Sequence, residues 1–232
     1  MKVNGIDISK YNAKQLSVDV QPPSILTNYE WMTGAVLPTE FKTEVQMGHL
    51  ILMVYFKGKD RGSIIRSASE FMENFKSACD MELDGYAGKY RGFMVADEYE
   101  KKIAKDRYVM NLEFDGFFYD DEQTLIFDGV DAAIISRIGT RDVPCAVEIY
   151  AKNDLTNYVV HGFGEDYIIV GSLAAGKTLV IDGINGLVTI DGANAFDIVN
   201  MWEFPKLTAR ETTLEFSSTE ATVKISYAPM WI

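Results

Sequence analysis

The segment Gly171-Ser-Leu-Ala-Ala-Gly176-Lys177-Thr178 matches the G-x-x-x-x-G-K-[ST] pattern of a phosphate-binding loop. Such a loop works when a helix follows it, because the helix N-terminus and the loop amides then point together at phosphate oxygens. Here Thr178-Leu-Val-Ile-Asp-Gly follows, a β-branched run ending in a turn. The pattern therefore predicts a hairpin turn carrying an exposed lysine, with no nucleotide site. Cys145 and His161 could formally pair as a thiol nucleophile and its base. Cys145 opens an apolar strand, however, where a buried thiol that packs like a small hydrophobe is expected. His161-Gly-Phe-Gly164 is similar to a glycine-rich oxyanion turn, yet the chain has no G-x-S-x-G elbow to accompany it.

Metal chemistry fares no better. His49 and His161 lie far apart in the chain and neither belongs to an H-x-x-x-H spacing. Asp115, Asp120, Asp121 and Glu122 could offer oxygen ligands to Ca²⁺, but they lack the D-x-[DN]-x-[DN]-G order and read as a solvated acidic turn. The aromatic run Tyr108 to Tyr119 could stack sugars or bases. Its alternation of Tyr108, Met110, Leu112 and Phe114 instead places these side chains on the buried face of one strand. We expect no catalytic residue, no metal ligand and no cofactor, because chemistry usually leaves a convergent nucleophile, base or metal pattern.

The elements that would position these residues are mostly strands. Asp-Gly at 84, 115, 128, 182 and 191 and Asn-Gly at 4 and 185 mark tight turns. Between them, runs such as 147–151, 158–160, 167–170, 178–181, 187–190, 214–216 and 222–227 are β-branched or aromatic, which predicts an antiparallel sandwich. Two similar phrases, Val180-Ile-Asp-Gly and Thr189-Ile-Asp-Gly, read as arms of one hairpin closed by Gly183 to Gly186. One helix is predicted from Ser63, as N-cap, to Cys79, with Ile64, Ala68, Phe71, Phe75 and Cys79 on its apolar side. The fold class is thus mainly β. We expect an N-terminal β-rich α+β domain with one long helix over residues 1–130 and an all-β domain over 131–232.

The 232 residues carry 22 Lys+Arg against 34 Asp+Glu, a formal net charge of −12, and 12% are aromatic, which excludes a disordered chain. The acid excess argues against a nucleic-acid binder, which needs a positive footprint to displace counterions. The longest apolar run, Leu50 to Phe56, is far too short to span a bilayer, so no membrane insertion is expected. The opening residues lack the apolar stretch of a secretory signal, and two cysteines, Cys79 and Cys145, make no disulfide framework, so folding in the cytoplasm is expected.

Phrases spread along the chain carry a resemblance. Val3-Asn-Gly-Ile-Asp-Ile-Ser-Lys-Tyr11, Gln21-Pro-Pro followed by Gly34, and Leu83-Asp-Gly-Tyr-Ala-Gly-Lys-Tyr-Arg-Gly92 stand in order in the first half. Thr178 to Gly183, Val188 to Asn194, Phe204-Pro-Lys-Leu207, Val223 to Tyr227 and Pro229-Met-Trp231 follow in the second. Together they resemble the distal tail proteins of long-tailed, siphovirus-type bacteriophages. Thr208 to Thr212 departs from the Pro-Gly-x-Asn turn common after the family's Phe-Pro-x-Leu phrase, and 93–125 matches loosely.

The resemblance implies a galectin-like C-terminal β-sandwich and an N-terminal belt domain. It also implies a homohexameric ring that joins the tail tube to the baseplate or tail tip. The implied partners are further copies of the chain, the tail tube and tape-measure proteins, and tail-fibre or receptor-binding proteins that carry host attachment. The implied place is the virion tail tip, assembled in the host bacterial cytoplasm and prophage-encoded in some cases. DNA would only pass through the lumen, where excess acid would repel its phosphates. Gln21 to Pro38, with Tyr29 and Trp31 among its prolines, is a candidate ring contact, although Trp31 could equally sit in a local core. The alternative is a carbohydrate-binding β-sandwich module recognising cell-surface glycans, with Trp202 as its aromatic platform.

Overall fold

A computed structural model describes residues 1–98, 106–136, 139–164, 166–208 and 211–231. The side chains of Lys42 and of residues 96–98 are outside that description, as are Ala209 and Arg210 of the departing turn. The described chain is mainly antiparallel β with a single α-helix. It divides into two compact units, Met1–Tyr119 and Asp120–Trp231. The strand Gln123–Asp128, expected in a first domain of residues 1–130, pairs with Ala221–Tyr227 and falls in the second unit.

The first unit is built on one large sheet with a helix packed against it, and a separate two-stranded hairpin. In spatial order the sheet runs Ile6–Asp7, Lys2–Val3, Cys79–Glu82, Lys89–Glu98, Arg107–Tyr119, Gly48–Lys57 and Ala13–Gln21. The period of two in Leu50, Leu52, Val54 and Phe56 sets the register, placing each directly opposite Phe114, Leu112, Met110 and Tyr108. All eight are buried, as the alternation predicts. The helix spans Arg61–Met72 and lays Ile64, Ala68 and Phe71 on this layer. Phe71 meets Phe56 edge to face at 5.5 Å.

Both ends of the helix differ from the sequence reading. Asp60 is the N-cap, accepting from the Ser63 amide at 2.8 Å, while Ser63 Oγ accepts in return from the Asp60 amide. Ser63 is thus the third helical residue of a capping box. At the other end Asn74 Nδ2 donates to the Phe71 carbonyl at 2.7 Å, which satisfies an orphan carbonyl and lets the chain tighten into a 3₁₀ turn, Glu73–Phe75. Cys79 starts the next strand, where alternate burial of Cys79 and Met81 imitates a further helical turn.

The second unit is a sandwich. A six-stranded sheet runs Gln123–Asp128, Ala221–Tyr227, Ala146–Ala151, Thr178–Asp182, Leu187–Ile190, Ala193–Asn194. A five-stranded sheet runs Ala132–Ile135, Thr212–Phe216, Leu155–His161, Ile168–Leu173, Val199–Asn200. Val147, Ile149, Ile181, Val223 and Ile225 of the first face Val160, Val170 and Leu214 of the second in one core. The hairpin of Thr178–Asp182 and Leu187–Ile190 forms as its repeated phrase implies. Its bend at Gly183 cannot carry a side chain, since a Cβ there would lie 2.5 Å from the Pro205 carbonyl oxygen and 2.7 Å from that of Cys145.

Candidate functional site

The residues with chemical potential are dispersed into structural roles. Gly171 lies within a strand, Gly176 sits in a turn with φ of +77°, and Thr178 begins the next strand, so no helix follows Lys177. Lys177 Nζ donates instead to Asp191 at 2.6 Å, which raises the lysine pKa and occupies the cation. Cys145 is fully buried and its thiol is pushed well above the ordinary range by burial alone. Burial likewise pushes Cys79 up to about 11, leaving little thiolate at neutral pH.

His161 stacks on Tyr167 with ring centroids 4.5 Å apart and lies 3.9 Å from Glu215. The turn beside it is forced by packing: Phe163 is buried, and a Cβ on Gly162 would fall 2.2 Å from the Thr213 carbonyl oxygen. His49 Nδ1 is 2.8 Å from Asp115, which removes Asp115 from the acidic run. Asp120 accepts from the Trp231 indole at 2.8 Å. Among the described residues no group of three His, Cys, Asp or Glu is placed to hold a metal ion. No described helix is long and apolar enough to cross a membrane.

Two surfaces remain that no core claims. The first is an arm. Pro22 and Pro23 end the edge strand Ala13–Gln21, since proline has no N–H to donate to a ladder, and the chain leaves the sheet. It runs out as Ile25–Glu30, turns, and returns as Thr39–Val45, and among the described residues the two strands form a two-stranded sheet of their own. Ladder hydrogen bonds and a Thr27–Thr43 hydroxyl contact of 3.2 Å hold it. No residue of the outgoing strand is buried, and Ile25, Tyr29, Trp31, Met32, Leu37 and Phe41 are all more than half exposed. Trp31, at 60% exposure, is therefore not in a local core. A lone two-stranded hairpin is marginal in water, and so large an apolar surface marks a contact site.

The second surface is an open groove of about 410 Å³ on the five-stranded sheet of the second unit. Asn157, Ile169, Gly171, Ser172, Asp197 and Asn200 line it. Trp202, nominated from the sequence, is 89% exposed but is not among the lining residues.

The chain is thus a mainly β protein of two units, with its reactive side chains tied into structure and one apolar arm held out. Comparison with known proteins then shows what the chain is similar to. Residues 138–231 match the family model of the siphovirus-type tail component, C-terminal domain. The whole chain has the fold of the SPP1 Dit protein, described as a paradigm of the hub adsorption apparatus in phages infecting Gram-positive bacteria. It matches with a TM-score of 0.77 at 10% identity, over 100% of this chain and 98% of that one.

The baseplate of phage P2 in its activated conformation, solved with Ca and again with Sr, contains a chain of related fold. The TM-scores are 0.52 and 0.51 at 8% identity, covering 95% of this chain and 92% of each of those. No curated protein matches the sequence. The resemblance to distal tail proteins is thereby borne out, and with it the mainly β fold class.

Proposed function

We propose that this chain is the hub of a siphovirus-type tail tip, a non-enzymatic homohexameric ring that joins the tail tube to the baseplate and its receptor-binding proteins. The observation that carries this reading is the arm. Apolar residues on both faces of an unsupported hairpin are stable only when another surface covers them, and a neighbouring copy is the surface always present at equal concentration. A hairpin that leaves one subunit and lies on the next is a heterologous contact, the kind that closes into a ring.

The family-model match of the second domain and the hub fold of the whole chain support the same assembly. Tail tube and tape-measure proteins would meet the two faces of the ring, and tail-tip or fibre proteins would attach at its rim. In this reading the first domain forms the belt, and the site residues are contact residues with no catalytic group, metal or cofactor among them. The location is the virion tail. DNA passes through the lumen, where the acid excess keeps its phosphates from being held.

Negative-stain imaging of the purified chain at about 100 µM tests this, since assembly follows mass action. Six-fold rings are the expected result. Particles with two-fold symmetry, or monomers that stay single when added to tail tubes, would contradict it.

A further inference from the structure

The groove on the five-stranded sheet is built from pieces distant in sequence. Antiparallel pairing of Leu155–His161 with Ile168–Leu173 brings Asn157 beside Gly171 and Ser172. The 3₁₀ turn Phe196–Ile198 and the strand Val199–Asn200, which pairs with Ile169 and Val170, supply Asp197 and Asn200 along one wall. Asn157 holds a left-handed φ of +49°, and at this residue the burial alternation shifts, with Leu155 and Tyr158 buried while Thr156 and Asn157 face out. Asparagine is one of the few non-glycine residues that takes this conformation readily. Gly171 leaves the floor open, with ordinary clearance for a Cβ, whose nearest neighbour would be the Ile198 carbonyl oxygen at 3.4 Å.

The chemistry of this lining selects a ligand. Two amides, a hydroxyl and a carboxylate supply donors and acceptors together, and among the described residues none of these four side chains spends them on a hydrogen bond. Sugar hydroxyls, each both donor and acceptor, are the complement of such a set. No lysine or arginine lines the groove while Asp197 does, which disfavours phosphate-bearing or other anionic ligands. The volume is at the lower end of the small-molecule range, suited to one or two rings.

We propose that this groove binds a neutral saccharide, so that the second domain carries a glycan contact of its own beside any role in the hub. The test is an array of immobilised neutral oligosaccharides (hexose, N-acetylhexosamine and deoxyhexose types) with poly(glycerol phosphate) and AMP as anionic arms, followed by calorimetry with soluble lactose and chitotriose. The full chain is used. We expect saturable binding to at least one neutral saccharide with a Kd of about 10 µM to 1 mM, a range typical of weak contacts that gain from repetition.

Asp197→Asn and Asn200→Ala, both at exposed positions, should each weaken binding at least tenfold with Tm unchanged, and Gly171→Leu should abolish it by filling the floor. Binding confined to the anionic arms overturns the proposal, as does the absence of any neutral saccharide bound below about 10 mM. Unchanged affinity in all three variants would do so too. Solution mass recorded on the same samples, with and without tail tubes, keeps the two readings apart: an intact ring without sugar binding removes the groove alone, and sugar binding by a chain that stays monomeric on tail tubes removes the ring alone.

Discussion

Two hairpins of this chain share a secondary structure and differ in everything that stabilises it. In the second domain, Thr178–Asp182 and Leu187–Ile190 send Leu179, Ile181 and Val188 into a core and are flanked by further strands on both sides. In the arm, Ile25–Glu30 and Thr39–Val45 have no third strand and no buried face. The first hairpin is completed by its own domain. The second has no burying layer among the described residues, and its apolar side chains stay exposed.

The contrast can be broken first at the core of the inner hairpin. Ile181→Ala removes methylene groups from a fully buried side chain and should cost about 2–5 kcal/mol in urea unfolding. A loss below about 1 kcal/mol would mean that this hairpin depends on its domain no more than the arm does. Gly183→Ala at the bend should cost about 1–3 kcal/mol, because its Cβ meets two backbone carbonyls that cannot step aside cheaply. The equivalent change in the arm is expected to do almost nothing to the isolated chain. Trp31→Ala should shift the same transition by less than about 0.5 kcal/mol, and a larger loss would place Trp31 in a core after all.

The smallest effect concerns acid. Burial raises the Asp182 pKa, but the Asn185 side chain and the amides of Asn185 and Ile184, all donating to its carboxylate, together lower it below the ordinary value of 3.8. A lowered folded pKa favours the folded state above the ordinary carboxylate range and loses that contribution as pH falls through the folded value. Between about pH 5 and pH 2 the Tm of Asp182→Ala should therefore fall less steeply than that of the wild type. Parallel curves would show that the turn draws nothing from this charge.

The same contrast explains what was legible in the sequence. Strands of the second domain announce themselves because one face is wet: Val223, Ile225 and Tyr227 alternate with Lys224, whose amine reaches Glu148 at 2.8 Å. Ser226 breaks the pattern, being buried and hydrogen-bonded to Thr124 at 3.3 Å. The arm has no such alternation, because neither face of Ile25–Glu30 is buried, so the segment reads as a loop although it is a ladder. The helix is legible through Ile64, Ala68 and Phe71, and its end is not, because a strand's burial of Cys79 and Met81 continues the apolar series. The groove left no local trace at all. Asn157, Ser172, Asp197 and Asn200 are ordinary turn and edge residues until strand pairing gathers them. Trp202 was the one visible signal in that region, and it lies outside the lining.

In the proposed ring the arm is the closing contact, and its exposed apolar side chains are where assembly can be broken. Native mass of the full chain at about 100 µM is compared with that of a Trp31→Asp, Phe41→Asp variant, which places charge on the exposed apolar surface without touching any core. The wild type should give a hexamer and the variant a folded monomer with the wild-type far-UV circular dichroism. A variant that still assembles into hexamers would contradict the account.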